Sequence, residues 1–172
     1  MIKYIKDGDL FESKCQCLVC TVNCKGAMGK GIALEFKKRF PALNEAYKRL
    51  CQKGTFTPGK LWYWDNPLWE PALINHELYA PDCPHFVLCF PTKDEWRNPS
   101  KLEYIEAGLQ KFVATYNVKE YNGVKVHRGV DRISSIAFPK LGCKNGGLDW
   151  KDVKPLMEKY LADLDCEIEI YE

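Results

Sequence analysis

Three short segments of the chain combine glycine, lysine and asparagine in a way that suits a phosphate-bearing ligand. In the first, VNCKGAMGKGIALEFKKRFP (residues 22–41), a strand-like run ends at Asn23, a glycine-containing loop follows, and a helix begins. Glycines let backbone amides approach a ligand closely, and the N-terminus of a helix adds oriented N–H groups and the positive end of a dipole. The spacing fits neither a Walker loop, because Gly31 replaces the hydroxyl residue, nor a dinucleotide-binding fingerprint, because Leu34 replaces its third glycine. We therefore predict an anion site of another architecture, with a purely structural turn as the alternative.

The second segment, FPKLGCKNGGLDW, covers residues 138–150 and follows the strand-like run Ile133–Phe138. Its glycines make a flexible loop, and Asp149 is a residue type that caps the helix predicted after it. The segment predicts a second phosphate-gripping loop on the same edge of the sheet as the first.

The third segment, FPTKDEWR, covers residues 90–97 and places Lys93 just past the strand-like run Phe86–Phe90. A lysine there can neutralise a phosphate. It can also act as a nucleophile if burial or a neighbouring cation such as Arg97 favours its neutral amine. The third interpretation is an ordinary solvated loop lysine.

Strand-like and helical patterns alternate along the chain. The apolar strand-like runs are Ile2–Ile5, Leu18–Val22, Leu61–Trp64, Phe86–Phe90, Ile133–Phe138 and Ile168–Tyr171. The helical patterns are Gly31–Phe40, Ala42–Cys51, a segment opened by the capping box Ser100–Glu103, and Asp149–Leu161. Alternation of this kind predicts an α/β fold with a largely parallel sheet and helices on both faces. Such sheets bind ligands beyond the carboxyl ends of their strands, where all three segments fall.

Length and charge limit the classes of protein to which the chain can belong. Its 172 residues fit a single domain spanning residues 1–172. A net charge of +2 predicts no broad basic face, so any contact with nucleic acid must be local. The sequence lacks both the apolar core of a signal peptide and a run of about 18 apolar residues, so we expect a cytoplasmic protein without membrane contact.

The nine cysteines are an odd number, which favours reduced thiols. Four of them are clustered at positions 15, 17, 20 and 24, which raises the alternative of a zinc site. Residues three apart on a strand point to opposite faces, so Cys17 and Cys20 are poorly placed to share a metal. We predict that the cysteines are buried and act as small hydrophobic residues, with no metal.

Two segments look like insertions. Trp64–Pro84 is rich in proline and aromatic residues. It is interpreted either as a binding loop whose Trp64, Trp69 and Tyr79 stack on unpaired bases, or as a packed surface excursion. Glu120–His127 contains Asn122-Gly123 between strand-like residues, which predicts a small hairpin.

Together the three segments resemble the macrodomain family over nearly the whole chain. They most closely resemble the branch of DarG-type DNA ADP-ribosyl glycohydrolases, antitoxins that remove ADP-ribose from DNA bases. In this resemblance Asn23 and the Gly29–Ile32 core are in register with the first loop of that branch. FPTKDEWR is similar to its catalytic-lysine segment, and LGCKNGGLDW is similar to its second loop. The resemblance implies a three-layer α/β/α fold with a central mixed, largely parallel sheet.

The resemblance also implies a role for each matching residue. Asp9 would bind the adenine amine, Asn23 would bind hydroxyls of the distal ribose, and Lys93 would act at the anomeric carbon of that ribose. The catalytic residues would be Lys93 and Asn23, without a metal or a cofactor. The implied ADP-ribose-binding residues are Asp9, Leu10, Gly29, Lys30, Gly31, Ile32, Leu141, Gly142, Cys143, Lys144, Asn145 and Gly146.

The implied activity is hydrolysis of ADP-ribose from modified DNA, single-stranded, by a monomer. Removal of ADP-ribose from protein, deacylation of O-acetyl-ADP-ribose, and binding of ADP-ribose without cleavage remain alternatives. Two departures bear on the chemistry. Glu95 stands where the branch often has histidine, and Gly146 stands where related protein glycohydrolases have an acid. An acid-assisted mechanism would therefore have to use Asp94 or Glu95.

Overall fold

Six strands build a mixed sheet in the computed structural model, which describes residues 1–69, 72–74, 77–79, 82–116 and 133–172. The strands are β1 (Ile2–Ile5), β2 (Cys17–Val22), β3 (Trp62–Asp65), β4 (Ala72–Ile74), β5 (Glu77–Tyr79), β6 (Phe86–Pro91), β7 (Ser135–Pro139) and β8 (Glu167–Tyr171). The order in the sheet is β1-β8-β7-β2-β6-β3, and β4 and β5 form a separate two-stranded hairpin. Every pairing in the larger sheet is parallel except that of β3 with β6.

Helices cover both faces of this sheet. They are α1 (Gly31–Arg39), α2 (Pro41–Gln52), α3 (Leu102–Tyr116) and α4 (Trp150–Leu161). On one face α1 and α2 bury Phe36 and Tyr47. On the other face α3 and α4 bury Phe112 and Met157. The predicted three-layer α/β/α architecture with a mixed, largely parallel sheet is confirmed.

The central strand β2 divides its side chains between the two layers. Cys17 and Val19 pack toward α3 and α4, whereas Leu18 and Cys20 pack toward α1 and α2. This confirms that Cys17 and Cys20 lie on opposite faces. Burial raises the pKa of both thiols well above the ordinary value, so both stay protonated and pack as apolar groups.

The observed elements agree with the predicted bounds within two residues, with one error at the start of α3. The helix begins at Leu102, and the buried hydroxyl of Ser100 has no hydrogen-bond partner among the described residues, so the predicted capping box is wrong. Instead, the Ser100 N–H donates to the carbonyl of Gly146 at 2.9 Å. A tertiary contact therefore fixes Ser100 where local sequence predicted a helix cap. The hairpin predicted at Glu120–His127 lies outside the described residues.

The insertion after β3 begins at the amino ends of the parallel strands, whereas the segments rich in glycine and lysine follow their carboxyl ends. Because β3 is antiparallel to β6, Asp65 pairs with Phe86 at the amino end of β6. Trp64 is buried, with its ring centroid 6.0 Å from that of Phe40, and Trp69 stacks on His85 at 3.8 Å. For Trp64 and Trp69 the structure therefore supports the packed surface excursion, which was one of the two interpretations, over a loop that stacks on bases. Tyr79 belongs to β5, whose side chains lie outside the described part of the chain.

Gly108 provides a test of how tightly α3 packs on the sheet. A Cβ atom at this position would lie 2.3 Å from Cζ of Phe90. In an exposed helix Gly→Ala adds about 1 kcal/mol of stability. Here we expect Gly108→Ala to lower the free energy of unfolding by about 1–3 kcal/mol through overpacking. Urea unfolding measures it, and Phe90→Leu is the background in which the same change should cost less. A gain of stability in the wild-type background would contradict the packing.

Candidate functional site

Three loops meet at the carboxyl ends of neighbouring strands. Loop A (residues 23–30) follows β2, loop B (residues 92–101) follows β6, and loop C (residues 140–149) follows β7. Since β7, β2 and β6 are adjacent in the sheet, these loops line one cleft of about 1340 Å³. The segment after β1, residues 7–11, lines the same cleft at the other end. The prediction that the three segments share one sheet edge is confirmed.

The N-terminus of α1 opens into this cleft without a side-chain cap. Its N-cap residue, Lys30, makes no side-chain capping hydrogen bond. The Leu34 N–H donates to the Lys30 carbonyl at 3.3 Å, so the N–H groups of residues 31–33 come before this first intrahelical bond. Gly31 has φ +56°, a left-handed conformation that glycine adopts without strain. The oriented amides and the helix dipole suit an anion.

Asn23 is held in place by its own loop and by α2. Its Oδ1 accepts from the N–H of Lys25 at 2.9 Å, and its Nδ2 donates to the carbonyl of Ala27 at 2.7 Å. The buried Tyr47 hydroxyl donates to the Asn23 carbonyl at 2.6 Å and lies 3.0 Å from its Oδ1. Asn23 lines the cleft with a fixed carboxamide, whose Nδ2 carries a second N–H. Sequence analysis missed Tyr47 because its helical spacing indicates only a core residue.

Removing the Tyr47 hydroxyl should loosen loop A. Tyr47→Phe leaves the Asn23 carbonyl without its buried donor, so we expect the free energy of unfolding to fall by about 1–2 kcal/mol. Tyr4→Phe is the matched control, because its hydroxyl bonds Glu158 at an exposed position. Chemical denaturation of both variants measures the difference. Equal losses in the two variants would contradict a structural role for the Tyr47 bond.

Loop B continues the pairing of β2 with β6 beyond the strand ends. The Thr92 N–H donates to the Val22 carbonyl at 3.0 Å, and the Cys24 N–H donates to the Asp94 carbonyl at 2.9 Å. These two bonds flank Lys93 and fix its backbone beside loop A. The Lys93 Nζ donates to the Asn145 carbonyl at 3.0 Å. The ammonium group therefore lies where all three loops meet.

The two acids beside Lys93 are directed elsewhere. Asp94 lies 3.6 Å from Nζ of Lys25, and Oε1 of Glu95 accepts from the N–H of Trp96 at 3.1 Å. Neither residue lines the cleft in the described part of the chain. The geometry therefore disfavours Asp94 and Glu95 as acids in an acid-assisted mechanism.

Loop C folds tightly and faces α1. Lys144 has φ +57°, a left-handed conformation that is unusual for a side-chain-bearing residue and that is found at ligand sites. The Leu148 N–H donates to the Gly142 carbonyl at 3.1 Å and closes the loop. A Cβ atom at Gly31 would lie 2.5 Å from Nδ2 of Asn145, so the tip of loop C contacts the start of α1.

Gly146 has no room for a side chain. A Cβ atom there would lie 2.4 Å from Oγ of Ser100. The acid that related protein glycohydrolases carry at this place therefore cannot be added without moving loop B. Leu141, by contrast, is fully buried in the core and is absent from the cleft lining among the described residues.

Most of the predicted ligand-binding residues do line the cleft. They are Asp9, Leu10, Gly29, Lys30, Gly31, Ile32, Gly142, Cys143, Lys144, Asn145 and Gly146. Asp9 also caps a short 3-10 turn, because its Oδ1 accepts from the Phe11 N–H at 2.9 Å. Sequence analysis named Arg97 only as a neighbour of Lys93 and gave no role to five other lining residues, Phe11, Thr21, Trp96, Lys140 and Tyr171. Trp96 and Lys140 lie within two of the three segments, and the fold brings the others to them.

Charge is distributed unevenly along the cleft. Asp7 and Asp9 follow β1 at one end, whereas Lys93 and Arg97 follow β6 at the other. Lys30 and loop C add cations between these ends. The arrangement suits a ligand that carries its negative charge in the middle and a neutral, amine-bearing group at the β1 end.

Cys24 of loop A packs against loop B, and burial raises the pKa of its thiol to about 12, so it stays protonated at neutral pH.

In the described residues no group of three or more His, Cys, Asp or Glu side chains is placed to hold a metal ion. No helix in the described ranges is long and apolar enough to cross a membrane.

A family model and curated proteins both match most of this chain. The family model described as Macro domain matches residues 19–157. The DNA ADP-ribosyl glycohydrolase of Mycobacterium tuberculosis is 41% identical over 171 residues, which cover 98% of this chain and 42% of that protein. This chain thus spans less than half the length of the DNA ADP-ribosyl glycohydrolases that it matches.

Two solved structures have the same fold at substantial identity. The macrodomain of Mycobacterium tuberculosis DarG has a TM-score of 0.81 and 40% identity, covering 99% of this chain and 97% of that chain. Thermosipho africanus DarTG in complex with ADP-ribose has a TM-score of 0.79 and 33% identity, covering 99% of this chain and 41% of that chain.

Proposed function

Since this chain belongs to the macrodomain family, we propose that it binds ADP-ribose in the cleft and hydrolyses it from ADP-ribosylated bases in DNA. The single observation that carries the proposal is the position of Lys93. Its ammonium donates to the carbonyl of Asn145 at the tip of loop C, and the side chain of Asn145 in turn contacts the uncapped start of α1. Relatives at 41% and 37% identity are named DNA ADP-ribosyl glycohydrolase, which supports the choice of substrate.

The binding half of the proposal rests on loops A and C. The N–H groups at the start of α1 and the backbone of loop C would hold the diphosphate between them. Asp9 at the β1 end would accept from the adenine amine, with the ring of Phe11 beside it. Asn23 would donate its remaining Nδ2 proton to a hydroxyl of the distal ribose. DarTG of Thermosipho africanus, whose solved complex contains ADP-ribose, supports this choice of ligand.

The catalytic half rests on loop B. In the reaction the bond between the anomeric carbon and the base breaks, the oxygen of water joins that carbon, and a proton is added to the base. Positive charge develops on the ribose ring as the bond breaks, and the neighbouring diphosphate stabilises that charge. Lys93 would either attack the anomeric carbon as an amine or donate a proton as an ammonium. Both roles require its Nζ at the β6 end of the cleft.

We propose that the protein acts as a monomer in the cytoplasm. The odd number of cysteines, nine, favours reduced thiols, as a reducing compartment does.

Parallel incubation with three substrates tests the proposed activity. The substrates are an ADP-ribosylated single-stranded oligonucleotide, an ADP-ribosylated protein and O-acetyl-ADP-ribose. We expect ADP-ribose to be released from the oligonucleotide at the highest kcat/KM. Faster turnover of the protein or of the acetyl ester would assign the activity to that substrate. Micromolar binding of ADP-ribose without cleavage of any of the three would identify a binding module instead.

A further inference from the structure

Trp96 presents an exposed aromatic ring at the β6 end of the cleft. In the described part of the chain four large apolar side chains are exposed, and Trp96, at 50%, is the aromatic one among them. It lines the cleft together with Lys93 and Arg97. A folded protein normally buries most of a tryptophan ring, and an exposed one at a cleft is typical of a binding surface.

The ring lies at the end of the cleft from which the DNA part of the bound substrate would extend. Four strand spacings separate β1 from β6, which is about 19 Å at the usual distance between strands. With adenine beside Asp9 and the anomeric carbon beside Lys93, the group attached to that carbon lies beyond Lys93. Trp96 is three residues further along loop B.

We propose that Trp96 stacks on the DNA base at the reaction site or on its neighbour, and that Arg97 contacts the adjoining backbone phosphate. This inference rests on the proposed DNA substrate. Stacking on an indole accepts any base, because every base has a π-face. The Arg97 Cζ lies 4.7 Å from the centroid of the Trp96 ring, so the guanidinium covers one face of the indole and a base would stack on the other face.

Loop B holds this pair rigidly. The Trp96 N–H donates to Oε1 of Glu95 at 3.1 Å, and the Asn98 N–H donates to the carbonyl of Glu95 at 3.1 Å. The Ser100 N–H fixes the end of the loop to Gly146 at 2.9 Å. A surface that is already ordered loses little conformational entropy when a base binds.

Local contacts of this kind reconcile a DNA substrate with the small net charge of the chain. A net charge of +2 provides no broad electrostatic attraction to nucleic acid. One stacked base and one phosphate contact beside the bound ADP-ribose supply recognition without a basic face. The substrate would be single-stranded, because a base must leave the duplex stack to reach an indole.

Binding measurements on inactive protein test the inference. In a Lys93→Ala background, which keeps the modified base uncleaved, we expect Trp96→Ala to weaken binding of an ADP-ribosylated oligonucleotide by about 5- to 150-fold. Binding of free ADP-ribose should stay the same. Trp96→Phe should restore most of the oligonucleotide affinity. Leu68→Ala is the control, since that side chain is 68% exposed and follows β3, which ends beside the amino end of β6 and so away from the cleft.

Salt dependence tests Arg97 separately. Arg97→Gln should reduce the slope of log Kd against log salt concentration for the oligonucleotide by about 1. An unchanged slope would exclude the phosphate contact.

Failure of the inference differs from failure of the proposed function. Stacking is overturned if Trp96→Ala binds the oligonucleotide as tightly as its parent, weakens both ligands equally, or is not rescued by phenylalanine. The proposed function is overturned if active protein releases no ADP-ribose from the same oligonucleotide. The first result comes from binding alone and the second from turnover, so each is read independently.

Discussion

Lys93→Ala is expected to abolish release of ADP-ribose from modified DNA while leaving the affinity for free ADP-ribose nearly unchanged. In the proposed binding mode, affinity would depend mainly on the backbone amides of loops A and C and on Asn23, which this substitution does not alter. The Lys93 Nζ, which lies 3.0 Å from the Asn145 carbonyl, is the group placed to act on the anomeric carbon. Single-turnover release and calorimetry with ADP-ribose separate the two effects.

Lys93→Arg tests whether Lys93 acts through its charge alone, because a guanidinium neither attacks as an amine nor readily donates a proton. A guanidinium keeps the positive charge but does not lose a proton to become a nucleophile. We expect this variant to be inactive. Activity close to that of wild type would exclude attack by the amine and assign an electrostatic role. Lys93→Ala removes one positive charge, and Lys37→Ala is its control, because Lys37 is exposed on α1 away from the cleft lining. Full activity of Lys93→Ala would exclude Lys93 altogether.

Gly29→Val is expected to remove ADP-ribose binding without unfolding the protein. No described atom lies within 4 Å of a Cβ built on Gly29, and the residue lines the cleft, so a side chain there projects into the ligand space. If loop A binds the diphosphate, this side chain should weaken binding by about 100-fold or more, since each charge-assisted hydrogen bond that it blocks is worth about 1.5–3 kcal/mol. The melting temperature should stay near that of wild type.

The contrasting variant is Gly146→Ala, whose Cβ would meet Ser100 Oγ at 2.4 Å. It should lower the melting temperature because loop C must move. Comparing both variants by calorimetry and thermal unfolding separates a ligand-facing glycine from a packed one. Wild-type affinity in Gly29→Val would falsify the assignment of loop A to the diphosphate.

Much of the fold could be predicted from sequence because strong apolar patterns determine it. The run at β2 alternates between two buried faces, and Pro41 separates α1 from α2 by occupying the first position of the second helix. The three loops could be placed together because each follows a strand of a largely parallel sheet. Periodicity and turn chemistry carry this information within a few residues of sequence.

The predictions from sequence are wrong where contacts between distant parts of the chain determine the local structure. The direction of β3 relative to β6 determines that Trp64 and Trp69 lie far from the cleft, and nothing within Trp64–Pro84 encodes that direction. Ser100 has the spacing of a helix cap but bonds to Gly146. Tyr47 and Trp96 could not be distinguished from ordinary aromatic residues by spacing, because their roles depend on which loops pack beside them.

The start of α1 lacks the side-chain cap that stabilises the start of α4. At the beginning of α4, the Asp149 carboxylate accepts from the Lys151 N–H at 2.9 Å, whereas Lys30 provides no such acceptor for α1. A good N-cap side chain is worth about 1 kcal/mol, so α1 lacks about that much stabilisation at its first turn. A side-chain cap would compete for the same amides with the phosphate of the proposed ligand. In the proposed binding mode the diphosphate would supply the missing cap, so ligand binding and folding stability would be thermodynamically linked.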